Sequence, residues 1–169
     1  MRLLLVMDMQ EITVGDQHAA MFSYDEQLLS RVNDRIMEYE PENVVYIRNL
    51  MKRTFMNKLA PVQVYEGTKE AELAEKLKVV SDHIFDKYKG NAFTNQEVVD
   101  FVKAKSPEEI EIVGVDGGGC VALTAIGAAE EGYRVSINES CVGTIMEKQK
   151  NKLHGKMEQL GVRRTTGNS

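Results

Sequence analysis

Cys120 is the residue of this chain whose surroundings best suit covalent chemistry. The mostly β-branched run from Ile110 to Val115 ends in Asp116, Gly117, Gly118 and Gly119; Cys120 follows, and a helical pattern of Ala, Leu, Ile and Thr begins. A thiol there sits where a buried strand turns into the first turn of a helix. The unpaired N–H groups and positive dipole end of a helix stabilise an anion. A cysteine so placed is expected to lose its proton more easily than a free thiol, whose pKa is about 8.5. Glycines let backbone N–H groups approach a ligand closely. The unit reads as a nucleophile beside an oxyanion hole.

Two other readings compete. Free cysteine is among the most buried residue types, so a lone Cys120 is more often an inert core residue. Cys141, in Asn138-Glu139-Ser140-Cys141, fits that reading well. Alternatively, Gly117, Gly119 and Ala122 satisfy G-x-G-x-x-A between a strand and a helix, and Glu139 lies where a ribose-binding acid belongs. That pattern would make a dinucleotide-binding oxidoreductase.

The elements that must position these residues follow from periodicity. Leu3–Met7 is a continuous apolar run, as in a strand covered on both faces. Asp25 to Tyr39 has helical spacing, and Pro41 ends it. Asn43–Arg48 is a second strand, Asn49 to Tyr65 an irregular loop, and Glu70–Lys78 a short amphipathic helix. His83–Asp86 is a third strand. Thr94 and Glu97 have capping-box spacing and open a helix to Lys103. Glu109–Val115 is the fourth strand, followed by the Cys120 helix, which Gly132 closes. Tyr133–Asn138 is the fifth strand and Thr144–Leu160 a long helix. Val162–Thr165 is a sixth strand, and the last residues are expected to fray. This order predicts an α/β fold, a three-layer α-β-α arrangement with a mainly parallel sheet of about six strands, Rossmann-like, in a single domain 1–169.

The chain has 169 residues, 43% hydrophobic and 28% charged, with a net charge of −5. That balance argues against a general nucleic-acid surface. Lys148, Lys150 and Lys152 read as a solvated helix face. No apolar run is long enough for a membrane span. The start reads as a strand rather than a signal peptide, and two cysteines outside any CxxC pair suggest reduced thiols in a cytoplasm. His18, His83 and His154 have no metal-ligand spacing.

In parallel sheets ligands bind beyond the carboxyl ends of the strands. Asp8 follows the first strand, Lys87 the third, Asp116 to Cys120 the fourth and Glu139 to Cys141 the fifth. A carboxylate ending a fully apolar strand needs a partner, and Lys87 is one at the same edge. With Cys120 they form a set of base, cation and thiol.

Four segments in order resemble the isochorismatase-like cysteine hydrolases, the family of nicotinamidases and carbamoylsarcosine amidohydrolases. They are Leu4 to Gln10 (LLVMDMQ), Gly67 and Thr68 with Glu72 and Leu73, Lys87 to Phe93 (KYKGNAF), and Val113 to Ala125 (VGVDGGGCVALTA) followed by Gly132 to Val135. The resemblance implies Cys120 as nucleophile, Asp8 as general base and then acid, and Lys87 as the group that holds the charge balance. It implies a cis peptide at Val115–Asp116 and an oxyanion hole from the backbone N–H groups of Asp116 and Cys120. It also implies substrate contacts from Gln10, Asn91 and Phe93, a small-molecule amide as substrate, and self-association as a dimer or tetramer.

The chain departs from that family in one region. Nicotinamidases carry Asp-x-His and a further His after the second strand, as metal ligands. Here the region reads Arg48, Asn49, Leu50, Met51, Lys52, with no histidine between His18 and His83. No cofactor and no metal are therefore expected. Because true isochorismatases lack the cysteine, Cys120 favours a C–N substrate. Three glycines between Asp116 and Cys120 leave that loop freedom to move, and a non-catalytic binding protein is a further alternative.

Overall fold

The computed structural model describes residues 1–167. Six strands form one sheet: β1 (Arg2–Met7), β2 (Val44–Asn49), β3 (Ile84–Lys87), β4 (Glu109–Val115), β5 (Val135–Gly143) and β6 (Arg163–Thr165). Their order is β3-β2-β1-β4-β5-β6, and every pairing is parallel. The helices are α1 (Glu11–Val14), α2 (Leu28–Ile36), α3 (Phe55–Lys58), α4 (Gln96–Lys105), α5 (Cys120–Glu130) and α6 (Glu147–Gln159).

Strand side chains alternate between faces, and that alternation divides the core into two layers. Leu3, Leu5, Met7, Ile110 and Ile112 pack with Val98, Val102, Val121, Ala125 and Met157 of α4, α5 and α6. Leu4, Val6, Val113 and Val115 pack with Leu28, Val32 and Ile36 of α2. This is the expected three-layer α/β fold. The chain runs outward from β1 through β2 to β3, then returns to place β4 on the other side of β1. The crevice at such a switch point, beyond the carboxyl ends of β1 and β4, is where this architecture binds ligands.

Local expectations fail where tertiary pairing wins. Glu70–Lys78 is not a helix; only a single 3₁₀ turn forms, Lys69–Ala71. Leu73 instead bridges Gln10, and Ala74 N–H donates to the Met9 carbonyl at 2.9 Å. The segment is spent on fixing the chain just after β1. The cap of α4 is Asn95 rather than Thr94: its Oδ1 accepts from Glu97 N–H at 2.9 Å while its Nδ2 holds the Asp86 carbonyl at 2.6 Å. The loop after β2 contains α3, capped by Thr54. β5 runs on to Gly143 and includes Cys141. Lys150 is ion-paired to Glu139 at 2.6 Å and is not simply solvated. The expected fraying falls on the residues after Thr165, of which 168 and 169 lie outside the described residues. Among the described residues, no helix is long and apolar enough to cross a membrane.

Candidate active site

Four strand ends supply the site in spatial order. Lys87 ends β3, Asn49 ends β2, Asp8 follows β1, and Asp116 to Cys120 follow β4. Lys87 is 1% exposed, and a lysine so buried must be paired. Its Nζ donates to Asp8 Oδ2, Asn49 Oδ1 and Cys120 Sγ, each at 3.0 Å. An ammonium has three N–H groups, so this lysine is fully committed. The side chain crosses the end of β2 to reach Asp8, and Asn49 supports it on the way.

Asp8 has a φ of 52°, in the left-handed region that Asp tolerates better than most residues. The turn is held from both sides. Asp8 N–H donates to the Ile47 carbonyl at 2.9 Å, and the Thr13 hydroxyl donates to the Asp8 carbonyl at 2.6 Å. Asp8 Oδ1 is buried and has no hydrogen-bond partner among the described residues. It is thus a free acceptor beside the thiol and the cation.

Asp116 does more than its backbone position suggests. Its Oδ1 accepts from Gly118 N–H at 2.8 Å, and its Oδ2 from Ile145 N–H at 2.7 Å and the Tyr24 hydroxyl at 3.2 Å. Met146 N–H also reaches Oδ1, at 3.4 Å. Because Ile145 and Met146 serve Asp116, α6 starts at Glu147 and not at Thr144. A Cβ on Gly118 would overlap the Met146 carbonyl. The glycine loop is therefore packed against the start of α6 and pinned by Asp116, contrary to the freedom its composition suggests. The Val115–Asp116 peptide bond is cis. Among the described residues the backbone N–H groups of Asp116 and Cys120 donate to nothing.

Burial and the charge of Asp8 push the Cys120 thiol up to about 12, against the expectation of an easily lost proton. Desolvation disfavours the anion, and here it outweighs both the helix end and Lys87. Burial also raises Asp8, only partly offset by Lys87, so its carboxylate is a stronger base than usual. Burial would lower Lys87, but the charges of Asp8 and Cys120 hold it above its ordinary value, as an ammonium.

Cys120 stands between two openings. A partly open, mostly apolar pocket of about 160 Å³ is lined by Asp8, Phe22, Tyr24, Val64, Asp116 and Cys120, among others. An open groove of about 620 Å³ runs from Cys120 over Asn49, Lys52 and Tyr88.

Not every expected residue reaches these openings. Gln10 lines the apolar cavity but spends its polar atoms on backbone: Nε2 donates to the Asn49 and Ala71 carbonyls at 3.1 and 2.8 Å, and Oε1 accepts from Asn49 N–H at 2.8 Å. It is a clamp on Asn49. Asn91 caps a 3₁₀ turn through Phe93 N–H and packs against Gly127 of α5. Phe93 packs on the core near Tyr133. Neither Asn91 nor Phe93 lines the two openings at Cys120. Glu139 is held by Lys150 and Arg164, each at 2.6 Å. With Gly118 packed on α6 and Glu139 spent on two ion pairs, the dinucleotide reading has no support. Asn49 was missed as a site residue, although its place at the end of a strand is a signal of the kind that marked Asp8. Among the described residues, no group of three or more His, Cys, Asp or Glu side chains is arranged to hold a metal ion.

A family model described as the isochorismatase domain matches residues 2–169. The chain belongs to the isochorismatase family. Solved structures of similar fold include an isochorismatase-like hydrolase from Alkaliphilus metalliredigens, with TM-score 0.79 and 17% identity, covering 98% of this chain and 93% of that one. N-carbamoylsarcosine amidase from Thermoplasma acidophilum has TM-score 0.81 and 15% identity, over 99% and 97% of the two chains. A pyrazinamidase/nicotinamidase from Streptococcus mutans has TM-score 0.79 and 16% identity, over 97% and 99%. At these identities the likeness is one of fold. Nothing among curated protein sequences matches the chain.

Proposed function

We propose that this isochorismatase-family protein is a cysteine amidohydrolase that cleaves a C–N bond of a small molecule. The observation that carries the reading is Lys87 Nζ, 3.0 Å from both Asp8 Oδ2 and Cys120 Sγ, in a crevice where Asp8 Oδ1 is unpartnered. The amidase names among proteins of similar fold support the reaction class.

With the thiol pushed up to about 12, the resting site holds a neutral thiol beside an ion pair. Proton transfer to Asp8 then accompanies attack instead of preceding it. Cys120 Sγ bonds to the amide carbon as its proton passes to Asp8, and the carbonyl π pair moves to oxygen. The N–H groups of Asp116 and Cys120 receive that oxyanion, an effect worth about 3–4 kcal/mol per donor. As the tetrahedral adduct collapses, Asp8 returns the proton to the leaving nitrogen and the C–N bond breaks. Water, deprotonated by Asp8, splits the thioester, releasing the acid and restoring the thiol. Lys87 keeps its ammonium throughout and balances whichever of Asp8 or Cys120 is negative.

The apolar cavity limits the substrate. A cavity of about 150 Å³ holds a benzene-sized molecule, so one end of the amide is of that size or smaller. The test is ammonia release from a panel of small primary amides, with mass spectrometry to trap an acyl adduct on Cys120. Turnover by wild type, with loss of both turnover and adduct in Cys120→Ala at unchanged Tm, is expected. Undiminished turnover by Cys120→Ala would sink the covalent route.

A further inference from the structure

We propose that the open groove beside Cys120 recognises an anionic group, a carboxylate or comparable acid, on the amide that the thiol attacks. The inference rests on Cys120 being the nucleophile and adds the charge of its substrate. The groove, about 620 Å³, is lined by Asn49, Lys52, Thr54, Tyr88, Lys89 and Cys120 among others, and no acidic residue lines it. The segment 51–65 that forms one wall holds Lys52, Arg53 and Lys58 and no Asp or Glu. That is a local reversal of sign in a chain with 26 acidic and 21 basic residues.

The basic residues elsewhere on the same edge are neutralised. Arg48 is paired with Asp86 at 2.7 Å and Glu72 at 3.1 Å. Lys87 is paired with Asp8. Among the described residues, Lys52, Arg53, Lys58 and Lys89 have no acidic side chain within ion-pair distance. Aromatic faces position two of them instead. Lys52 Nζ lies 5.7 Å from the Tyr88 ring centre and Arg53 lies 4.6 Å from that of Tyr65. A ring face holds a cation in place without cancelling its charge. Lys52 and Lys89 line the groove itself, and Arg53 and Lys58 stand on the 51–65 segment outside its lining. Cations of one sign along a cleft concentrate anions and steer them inward. The two openings thus divide the substrate: its apolar part enters the apolar pocket, its carbonyl meets Cys120, and its acid lies in the groove.

Two alkylating agents that differ only in charge test this on the intact protein. Iodoacetate and iodoacetamide each lose iodide as the Cys120 thiolate bonds to carbon, and peptide mass spectrometry separates Cys120 from Cys141. The iodoacetate-to-iodoacetamide rate ratio at Cys120 is expected to fall with added salt. A unit charge about 8 Å from the reacting atom in water changes such a rate about two-fold. The double variant Lys52→Gln, Lys89→Gln should then lower the ratio about four-fold at low salt, with the iodoacetamide rate nearly unchanged. Lys87 is common to both proteins and cancels in the comparison. A ratio that the double variant leaves unmoved overturns anion recognition while Cys120 stands as a nucleophile. A Cys120 that reacts with neither reagent even at strongly alkaline pH overturns the hydrolase reading, and this inference with it.

Discussion

Replacing Asp8 by Asn is expected to move the two reactions of Cys120 in opposite directions. Asp8 Oδ2 and Cys120 Sγ each lie 3.0 Å from Lys87 Nζ, which bounds their separation. Two unit charges about 6 Å apart, the most this geometry allows, repel by roughly 3 kcal/mol at an effective dielectric of about 20. That corresponds to about a hundred-fold in the fraction of thiolate. Removing the carboxylate also leaves the buried Lys87 ammonium in need of an anion, and the thiolate becomes that anion. Asn is accepted at the positive φ of position 8, so the backbone is not the variable under test. In Asp8→Asn, iodoacetamide labelling of Cys120 near neutral pH should therefore rise, by about a hundred-fold or more. Ammonia release should fall by roughly two to four orders of magnitude, the usual worth of a general acid–base. Labelling is read by peptide mass spectrometry and turnover by ammonia, on the same preparation with Tm as the control for folding. If labelling falls with turnover, the Asp8 carboxylate promotes ionisation of the thiol instead of opposing it, and the electrostatic account of the resting site is wrong.

In wild type, labelling of Cys120 should keep rising with pH beyond about 8.5, the ordinary thiol value, because burial and Asp8 push the thiol up to about 12; a plateau at lower pH would contradict that cause. Gly114→Ala should yield little folded protein, since φ is 107° there and a Cβ would overlap the Met7 carbonyl of β1; a normal Tm would refute the close approach. Glu111 accepts from Arg35 Nε at 2.7 Å, from a second Arg35 nitrogen at 2.6 Å and from the Tyr39 hydroxyl at 2.8 Å, so Glu111→Gln leaves the buried Arg35 guanidinium with only the exposed Glu38 carboxylate as a charge partner and should cost up to about 3–5 kcal/mol in urea unfolding. Burial would raise Glu111, but Arg35, Tyr39 and Arg2 outweigh it and hold the carboxyl below its ordinary 4.5; its stabilisation is present above that pH and lost as pH falls through the folded value, so the acid side of the stability curve should flatten in the same variant. Gln10→Leu should speed hydrogen exchange at the Asn49 amide, which the Gln10 side chain holds at 2.8 Å, and an unchanged rate would remove the clamp.

Much of the site was legible because its parts sit on regular elements. A continuous apolar strand ending in Asp8 and a strand-to-helix turn at Cys120 each follow from local pattern. Lys87 could be placed at the same edge once parallel order was inferred, since parallel strands put their carboxyl ends together. What could not be read was the direction of the thiol's acidity. The helix end is a local feature, whereas desolvation and the nearness of Asp8 are made by packing residues 112 positions apart in sequence.

The same division runs through the rest of the molecule. Continuous apolar strand runs and their alternation with helical segments by themselves determine a parallel sheet covered on both faces, and with it the edge where chemistry gathers. Periodicity could not decide Glu70–Lys78, because its fate depends on backbone groups of Met9 and Glu11 offered from the other side of the crevice. Nor could it show that Gln10 would face Asn49, that Asp116 would bind the start of α6, or that Asn91 would turn into α5. Apolar pattern acts locally and is written in neighbouring residues, so the sequence determined the layers. Hydrogen-bond partners and desolvation are settled only when distant segments meet, so tertiary structure decided which polar groups are spent on the fold and which remain free to react.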